Sequence, residues 1–383
     1  MLKVGVTGQV GFVGTHLYNT LGLYPSNFIR VPFKDAFFSE EGKLQEFVKD
    51  CDVIVHLAAM NRHNDPEVLY QTNIGLVKQL IGACEATNST PHILFSSSTQ
   101  EERNNLYGKS KKEGRELFEK WADRNKAKFT GLIIPNVYGP FGNPYYNSVV
   151  ATFCHQLTHN ETPKIDLDGD LKLIYVSELV NEFIDLIDSQ NGDLSDKTLM
   201  QDETIYVPHT AEIKVSDLLQ KINAFKNSYF DTGIIPNLDN AFDRNLFNTF
   251  LCYIDHTSFF PFKLKINIDR RGSFVETVIL NSGGQVSFST TIAGITRGNH
   301  FHTRKAERFA VIKGKARIEI RRIGTDKVIS FELDGKQPSF VDMPIWHTHN
   351  ITNVGEEDLY TIFWINEHFN PGDPDTFFEK VNK

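Results

Sequence analysis

Cysteine is scarce. Cys51, Cys84, Cys154 and Cys252 are dispersed over 383 residues, with no CxxC pair. That spacing argues against a disulfide framework or a thiolate zinc site, and for buried, reduced thiols in a cytoplasmic protein. No stretch approaches the roughly 20 apolar residues that would span a bilayer, so no membrane partner is expected. The apolar opening Met-Leu-Lys-Val-Gly-Val is too short for a secretory leader and runs straight into a glycine motif. Positive charge is also short, since 40 Lys and Arg face 48 Asp and Glu for a net charge of -8. Phosphate neutralisation needs clustered cations, so no nucleic-acid partner is expected. Low-complexity tracts, internal repeats and Gly/Ser-rich linkers are absent too. What remains is an ordinary globular balance, 40% hydrophobic and 23% charged, at a length that suggests two domains.

The first half alternates short apolar runs with amphipathic stretches. Lys3 to Thr7, Phe28 to Val31, Val53 to Ala59, Pro91 to Phe95 and Leu132 to Pro135 read as strands. Val10 to Leu23, Leu44 to Val48 and Leu69 to Ala86 carry helical spacing. Continuously apolar strands separated by helices predict a parallel sheet covered on both faces, a doubly wound α/β fold of the Rossmann type. From about Phe259 the pattern changes to period-two alternation in Gln285 to Thr291, Arg308 to Ile312, Ala316 to Arg321, Val328 to Leu333 and Leu359 to Ile365. Glycine-containing turns separate these segments, which is an all-β signature. The expected division is residues 1–252 and 253–383.

Gly8, Gly11 and Gly14 follow the first strand and open a helix. The first permits a tight turn, the second lets backbone approach a pyrophosphate, and the third allows close helix–strand packing. Phe12 and Val13 begin the helix whose amino end faces the phosphates. A dinucleotide site that takes NAD has an acid at the tip of the second strand. Here the run Phe28-Ile-Arg-Val-Pro-Phe-Lys34 offers Arg30 and Lys34 instead. A guanidinium pairs with a 2′-phosphate, so the preferred cofactor is NADPH, with Asp35 keeping NAD as the alternative.

Tyr107 and Lys111 lie four apart, one helical turn. A phenol beside an ammonium is a proton donor of the kind that carbonyl reduction requires. Ser96-Ser97-Ser98 follow a strand just upstream, where open α/β sheets put ligands. Together with His56-Leu57-Ala58-Ala59, Asn73 and Pro135-Asn136-Val137-Tyr138-Gly139-Pro140, these residues resemble the extended short-chain dehydrogenase/reductase family over Met1 to roughly Asn240. The resemblance implies Tyr107 as proton donor, Lys111 on the nicotinamide ribose and Ser98 on the reacting carbonyl. It also implies cofactor contacts from Leu57, Ala58, Ala59, Asn73, Pro135 and Val137, with Asp52 near the adenine. Asn147 would approach the diphosphate of a nucleotide substrate.

Gly294 to Gly314 resembles the first cupin motif, and Pro344 to Asn353 the second, with Trp346 where that motif has glycine. The resemblance implies a jelly-roll barrel and the ligand set His300, His302, Glu307 and His349. His300 and His302, two apart, share one face of a strand. Three imidazoles and a carboxylate suit Zn²⁺ first, with Fe, Mn, Ni and Cu as alternatives. His347 is the alternative fourth ligand. Asp269 to Glu276 also resembles a segment of dTDP-4-keto-sugar 3,5-epimerases, and Arg297 to Phe301 their catalytic-histidine segment. Arg271 and Glu276 would then hold substrate, and His300 has two candidate jobs, metal ligand or base.

A reductase followed by an epimerase-like cupin resembles the bifunctional enzymes of capsular polysaccharide biosynthesis over the whole chain. The implied activity is C3 epimerisation of UDP-2-acetamido-2,6-dideoxy-hexos-4-ulose in the cupin, then C4 reduction with NADPH, toward UDP-N-acetyl-L-fucosamine. The implied assembly is a homodimer. Two other readings stand beside it: a single-activity 4-ketosugar reductase with a structural, dimerising cupin, and a non-catalytic NADPH sensor.

Overall fold

The structure is a computed structural model and describes residues 1–188, 202–270 and 272–382. These fall into two compact units that are not consecutive in the chain. Met1–Tyr138, Gly142–Val149 and Asp170–Ile213 form one. Gly139–Phe141, Val150–Gly169 and Lys214–Lys383 form the other.

The first unit opens with β1 (Leu2–Thr7), α1 (Phe12–Leu21), β2 (Phe28–Val31), α2 (Glu41–Asp50), β3 (Val53–His56) and α3 (Pro66–Thr87). It continues with β4 (His92–Ser98), α4 (Leu106–Asn125), β5 (Phe129–Ile134) and β6 (Asn136–Tyr138). After α5 (Val149–Thr158), which from Val150 on belongs to the second unit, come β7 (Asp170–Tyr175), α6 (Val176–Asp188), β8 (Asp202–Tyr206) and β9 (Ala211–Lys214). Strand order in the main sheet is β2-β1-β3-β4-β5-β8, with every neighbour parallel. β6, β7 and β9 form a small second sheet.

The apolar runs become these strands because both sheet faces are covered. Val4, Val6, Val53, Val55 and Leu94 pack with Leu17, Leu179 and Phe183. Ile54, Ile93, Phe95 and Phe129 pack with Val48, Leu80, Phe118 and Trp121. The chain leaves β1 for β2 on one side and later for β3 on the other. The carboxyl ends of β1 and β3 therefore flank the topological switch point, where such sheets bind ligands.

In the second unit α7 (Val215–Phe225), α8 (Ala241–Leu251) and the short α9 (His256–Phe259) precede the strands. These are β10 (Phe262–Lys263), β11 (Ile266–Asp269), β12 (Gly272–Val275), β13 (Gln285–Thr291), β14 (Thr296–Phe301) and β15 (Glu307–Lys313). Then follow β16 (Lys315–Arg322), β17 (Val328–Asp334), β18 (Ser339–Met343), β19 (His347–Asn353), β20 (Leu359–Ile365) and β21 (Phe377–Phe378). They build two five-stranded antiparallel sheets, β10-β18-β15-β20-β13 and β17-β16-β19-β14-β21. Inward residues of both, among them Ala310, Ile318, Ile320, Phe340 and Ile351, share one core. β11 and β12 form a separate hairpin. Among the described residues, no helix is long and apolar enough to cross a membrane.

A buried ion pair fixes the helical segment to the first of these sheets. Arg308 grips Asp342 through Nε and Nη2 at 2.8 and 2.9 Å, and its Nη1 donates to Gly233 O at 2.7 Å. Tyr229 donates to the same carboxylate, and Phe340 lies under the guanidinium. Removing one partner of such a pair strands the other charge without water. We expect Asp342→Ala to lose about 3–5 kcal/mol of stability in denaturant unfolding. A loss below about 1 kcal/mol would show that the network is incidental to folding.

Candidate active site and metal centre

Gly8 has φ +67°, the left-handed region. A Cβ there would sit 2.9 Å from Ala58 N, and one on Gly14 would sit 2.1 Å from Gly8 O. Glycine at both positions lets β1 turn into α1 directly against the segment after β3. Thr7 bridges the two strand ends, with Oγ1 2.8 Å from His56 Nδ1 and accepting from Ala58 N at 3.3 Å. Burial holds the His56 ring down to about 3, so it stays neutral. Gly11 caps α1 with no side-chain bond, leaving the amino end beside Phe12 and Val13 to the helix dipole. Leu57 and Ala58 abut this turn, and Ala59 follows them in the chain.

Two expected cofactor residues are turned away from the glycine turn, and a third is taken up by bonds within the fold. Asp52 precedes β3, and its carboxylate accepts from Lys3 N at 2.8 Å at the start of β1. In a parallel sheet that is the amino edge, roughly 13 Å along the strand from the glycine turn. Arg30 is level with Val4, not at the tip of its strand. Its guanidinium donates to Tyr18 O at 3.1 Å and stacks on the Tyr18 ring. Asn73 is fully engaged by Met60 O, Met60 N and Ser110 Oγ, so it braces the loop after β3. Lys34 is exposed just past β2, one residue from Phe33, whose N–H donates to Gln9 Oε1 in the glycine turn at 3.0 Å. Gln9 is a residue that the glycine spacing alone did not single out.

Ser98 ends β4, and Tyr107 lies in the first turn of α4, which Asn105 caps by accepting from Gly108 N at 2.7 Å. Gly108 lets the start of α4 pack closely on the turn after Ser98, since a Cβ there would lie 1.9 Å from Gln100 O. Lys111, one turn on, is 4% exposed and donates from Nζ to Ser96 O at 2.8 Å. Its ammonium lies 5.9 Å from the Tyr107 ring centre. Burial pushes Tyr107 up to about 12 and Lys111 down to about 8. The phenol therefore keeps its proton through neutral pH. Pro135 and Val137 follow β5, whose Ile134 pairs with Ser98. Asn147 is exposed beside Tyr146, whose hydroxyl accepts from Asn61 N at 3.1 Å and which adds to the upward shift of Tyr107. Tyr146 is thus a second phenol at the site that sequence reading passed over.

In the second unit a bulge aims the histidines. β14 and β19 slip register between Gly298 and His300, with Asn299 at φ +60°, and His300 then faces His349. His302 lies just past β14, and Glu307 begins β15. Glu307 Oε2 is 2.9 Å from His349 Nε2, 3.2 Å from His302 Nε2 and 3.9 Å from His300 Nε2. One ligand atom from each of these four residues falls within 4.8 Å of all the others. His302 Nε2, Glu307 Oε2 and His349 Nε2 are buried without a hydrogen-bond partner. Converging orphaned lone pairs fit a divalent cation. Burial lowers His349; burial is also the largest single influence on His302, but Glu307 and Asp375 together outweigh it and raise the ring. His347 instead turns Nδ1 to its own chain at Ile345 O and rings toward Phe141 and His256. Trp346 takes the left-handed conformation at φ +58°, held by its N–H on His302 O at 2.7 Å. Glu276 is exposed after β12, and Arg271 lies outside the described residues.

A glycine turn at the switch point of a parallel sheet, with Tyr107 over Lys111, defines a dinucleotide-binding oxidoreductase unit. The second unit defines a double-sheet module with a His/Glu centre. Residues 4–197 match the NAD dependent epimerase/dehydratase family, and residues 267–377 match the polysaccharide biosynthesis C-terminal domain. The chain is 34% identical over 381 residues to a Pseudomonas aeruginosa protein named UDP-2-acetamido-2,6-beta-L-arabino-hexul-4-ose reductase, covering 98% of each. It is 33% identical to the capsular polysaccharide assembling protein CapF from Staphylococcus aureus, with a TM-score of 0.61, over 99% of this chain and 100% of that one. The chain belongs to the NAD dependent epimerase/dehydratase family, in the form that carries the polysaccharide biosynthesis C-terminal domain. A nicotinamide cofactor comes with that membership, and the bare glycine turn fits its pyrophosphate.

The depressed Lys111 also sets a pH dependence. Its folded value near 8 lies below the unfolded value of roughly 10.4, so between them the unfolded chain binds more protons. Stability is held down by the buried charge below about pH 8 and recovers as pH rises through that window. We expect the gap in melting temperature between Lys111→Met and wild type to shrink from pH 7 to pH 10. A gap that stays constant would mean that Lys111 titrates as if exposed.

Proposed function

We propose that this chain converts a UDP-2-acetamido-2,6-dideoxy-4-keto-hexose in two steps. C3 is epimerised in a cupin module, residues 253–383, and C4 is then reduced with NADPH in the module of residues 1–252. The product leads toward UDP-N-acetyl-L-fucosamine for surface polysaccharide, made in the cytoplasm. The observation that carries the reading is the Ser98, Tyr107 and Lys111 set at the carboxyl edge of the sheet, in a chain matching a named 4-ketosugar reductase end to end.

A bound nicotinamide would supply hydride to C4. Tyr107 holds its proton up to about 12, and donates it to the carbonyl oxygen as that oxygen gains charge. Ser98 donates a hydrogen bond to the same oxygen. Lys111, fixed by Ser96 O, holds the ribose and offsets the phenolate left behind. Lys34, beside the glycine turn, favours the 2′-phosphate of NADPH. Asn147 meets the substrate diphosphate.

Zn²⁺, held by His300, His302, Glu307 and His349, would supply Lewis acidity to a ketone in the second module. Epimerisation removes the C3 proton α to that ketone and returns one to the opposite face through an enolate. Arg271 and Glu276 are proposed to orient the sugar.

Exposed apolar side chains favour a dimerising role for the same module. Ile268 and Phe274 on the hairpin and Val286 and Phe288 on the edge strand β13 are 53–78% exposed. A second copy of the chain would cover them, giving a homodimer. This observation also favours the second reading, a reductase whose cupin only dimerises.

Tyr107→Phe tests the assignment. We expect NADPH oxidation with the 4-keto substrate to fall roughly 10²–10⁴-fold. Solvent deuterium entry at C3 should continue, measured by NMR in D₂O. Near wild-type NADPH oxidation sinks the proton-donor role, and an absence of C3 exchange in this variant and in wild type favours the dimerising cupin.

A further inference from the structure

The segment between His302 and Glu307 is held from far along the chain. Asp375 is buried, with 4% exposed, and takes φ +42°, a left-handed conformation that aspartate tolerates. Its Oδ1 accepts from Thr303 N at 3.1 Å and Thr303 Oγ1 at 2.6 Å. Its Oδ2 accepts from Arg304 N at 3.0 Å and Lys305 N at 3.2 Å. One carboxylate thus gathers the backbone donors of three consecutive residues lying between two candidate ligands. Lys305 Nζ reinforces the contact at Pro374 O, 2.7 Å away.

The carbonyl of the same residue faces His302 Nδ1 at 2.5 Å. A carbonyl oxygen only accepts, so Nδ1 carries the proton. The Nε2 lone pair is then the one aimed at the centre, where it is buried without a hydrogen bond. Just beyond, Phe377 and Phe378 pair with Phe301 and His300, which ties the terminal segment to the ligand strand. His349 needs no such help, because its Nδ1 meets His347 O within its own strand at 3.1 Å.

We infer that Asp375 is the positioning residue of the His/Glu centre. Its carbonyl selects the His302 tautomer, and its carboxylate sets the turn that brings His302 against Glu307. The inference rests on the reading that these four side chains bind a divalent metal. Outer partners of this kind are worth roughly 10–100-fold in metal affinity.

The test uses cobalt(II) as probe in the full-length, metal-stripped protein, titrated in competition with a chelator, with the visible absorption of the loaded form recorded. Asp375→Asn places an amide donor against backbone donors. It should weaken cobalt binding roughly 10–100-fold and change the visible band as His302 leaves the set. Thr303→Val removes one of the four bonds to the carboxylate and should weaken binding in the same direction by a smaller factor. If Asp375→Asn melts lower when metal-free, yet binds cobalt with unchanged affinity and spectrum, the residue only packs the terminus and the inference is overturned. If Asp375→Asn does not fold, Thr303→Val decides alone, and unchanged affinity overturns it. Wild-type protein that takes up no cobalt sinks the metal reading itself, and this inference with it.

Discussion

Taking an ionised group out of water costs several kcal/mol unless the protein replaces the lost hydration, and that constraint organises both units. Lys111 is buried among aromatic rings and donates to Ser96 O, which holds its ammonium beside the Tyr107 ring. Arg308 and Asp342 neutralise each other while tying Tyr229 and Gly233 to the sheet. Asp375 finds four donors in one turn. Glu307 is the exception, because it meets imidazole nitrogens and leaves Oε2 without a hydrogen bond. Where the other buried charges are satisfied within the fold, this one points to something that arrives from outside it.

Placement comes from backbone approach as much as from side chains. Gly14 against Gly8, and Gly108 against Gln100, are contacts that a single Cβ would forbid. The first leaves bare backbone that fits a pyrophosphate, and the second sets the start of α4 against the turn after Ser98. Gly298 serves the second unit in the same way, since a Cβ there would lie 2.8 Å from His349 O, and the bulge at Asn299 follows it. A phenol that keeps its proton and a buried ammonium are what hydride reduction of a ketone needs. A cluster of unsatisfied nitrogen and oxygen atoms is what polarising such a ketone with a metal needs.

Much of this was legible in the sequence because it depends on short-range pattern. Gln285–Thr291 and Leu359–Ile365 are strands with the bounds that their alternation marks, and the glycine turn and the Tyr107–Lys111 turn are local too. Asp52 was misplaced for a reason that the sequence contained, since a residue before a parallel strand lies at the wrong edge of the sheet. Arg30 was not foreseeable in the same way: an exposed arginine could reach outward or, as here, fold onto Tyr18. The role of Gly108 depends on how closely a helix approaches the preceding turn, and that of Asp375 on a contact 72 residues away in sequence. Neither distance leaves a periodic trace. Trp346 shows the converse, a bulky residue in a left-handed position that glycine would fill more easily.

The central claim is that one chain carries out exchange at C3 and hydride transfer at C4. The origin of each hydrogen in the product tests it most directly. Wild-type protein is given the UDP-linked 2-acetamido-2,6-dideoxy-4-ketosugar and NADPH in D₂O, and the product is read by NMR. The account predicts deuterium from solvent at C3 and protium from NADPH at C4. A product that keeps its original C3 hydrogen, or takes its C4 hydrogen from solvent, would contradict it.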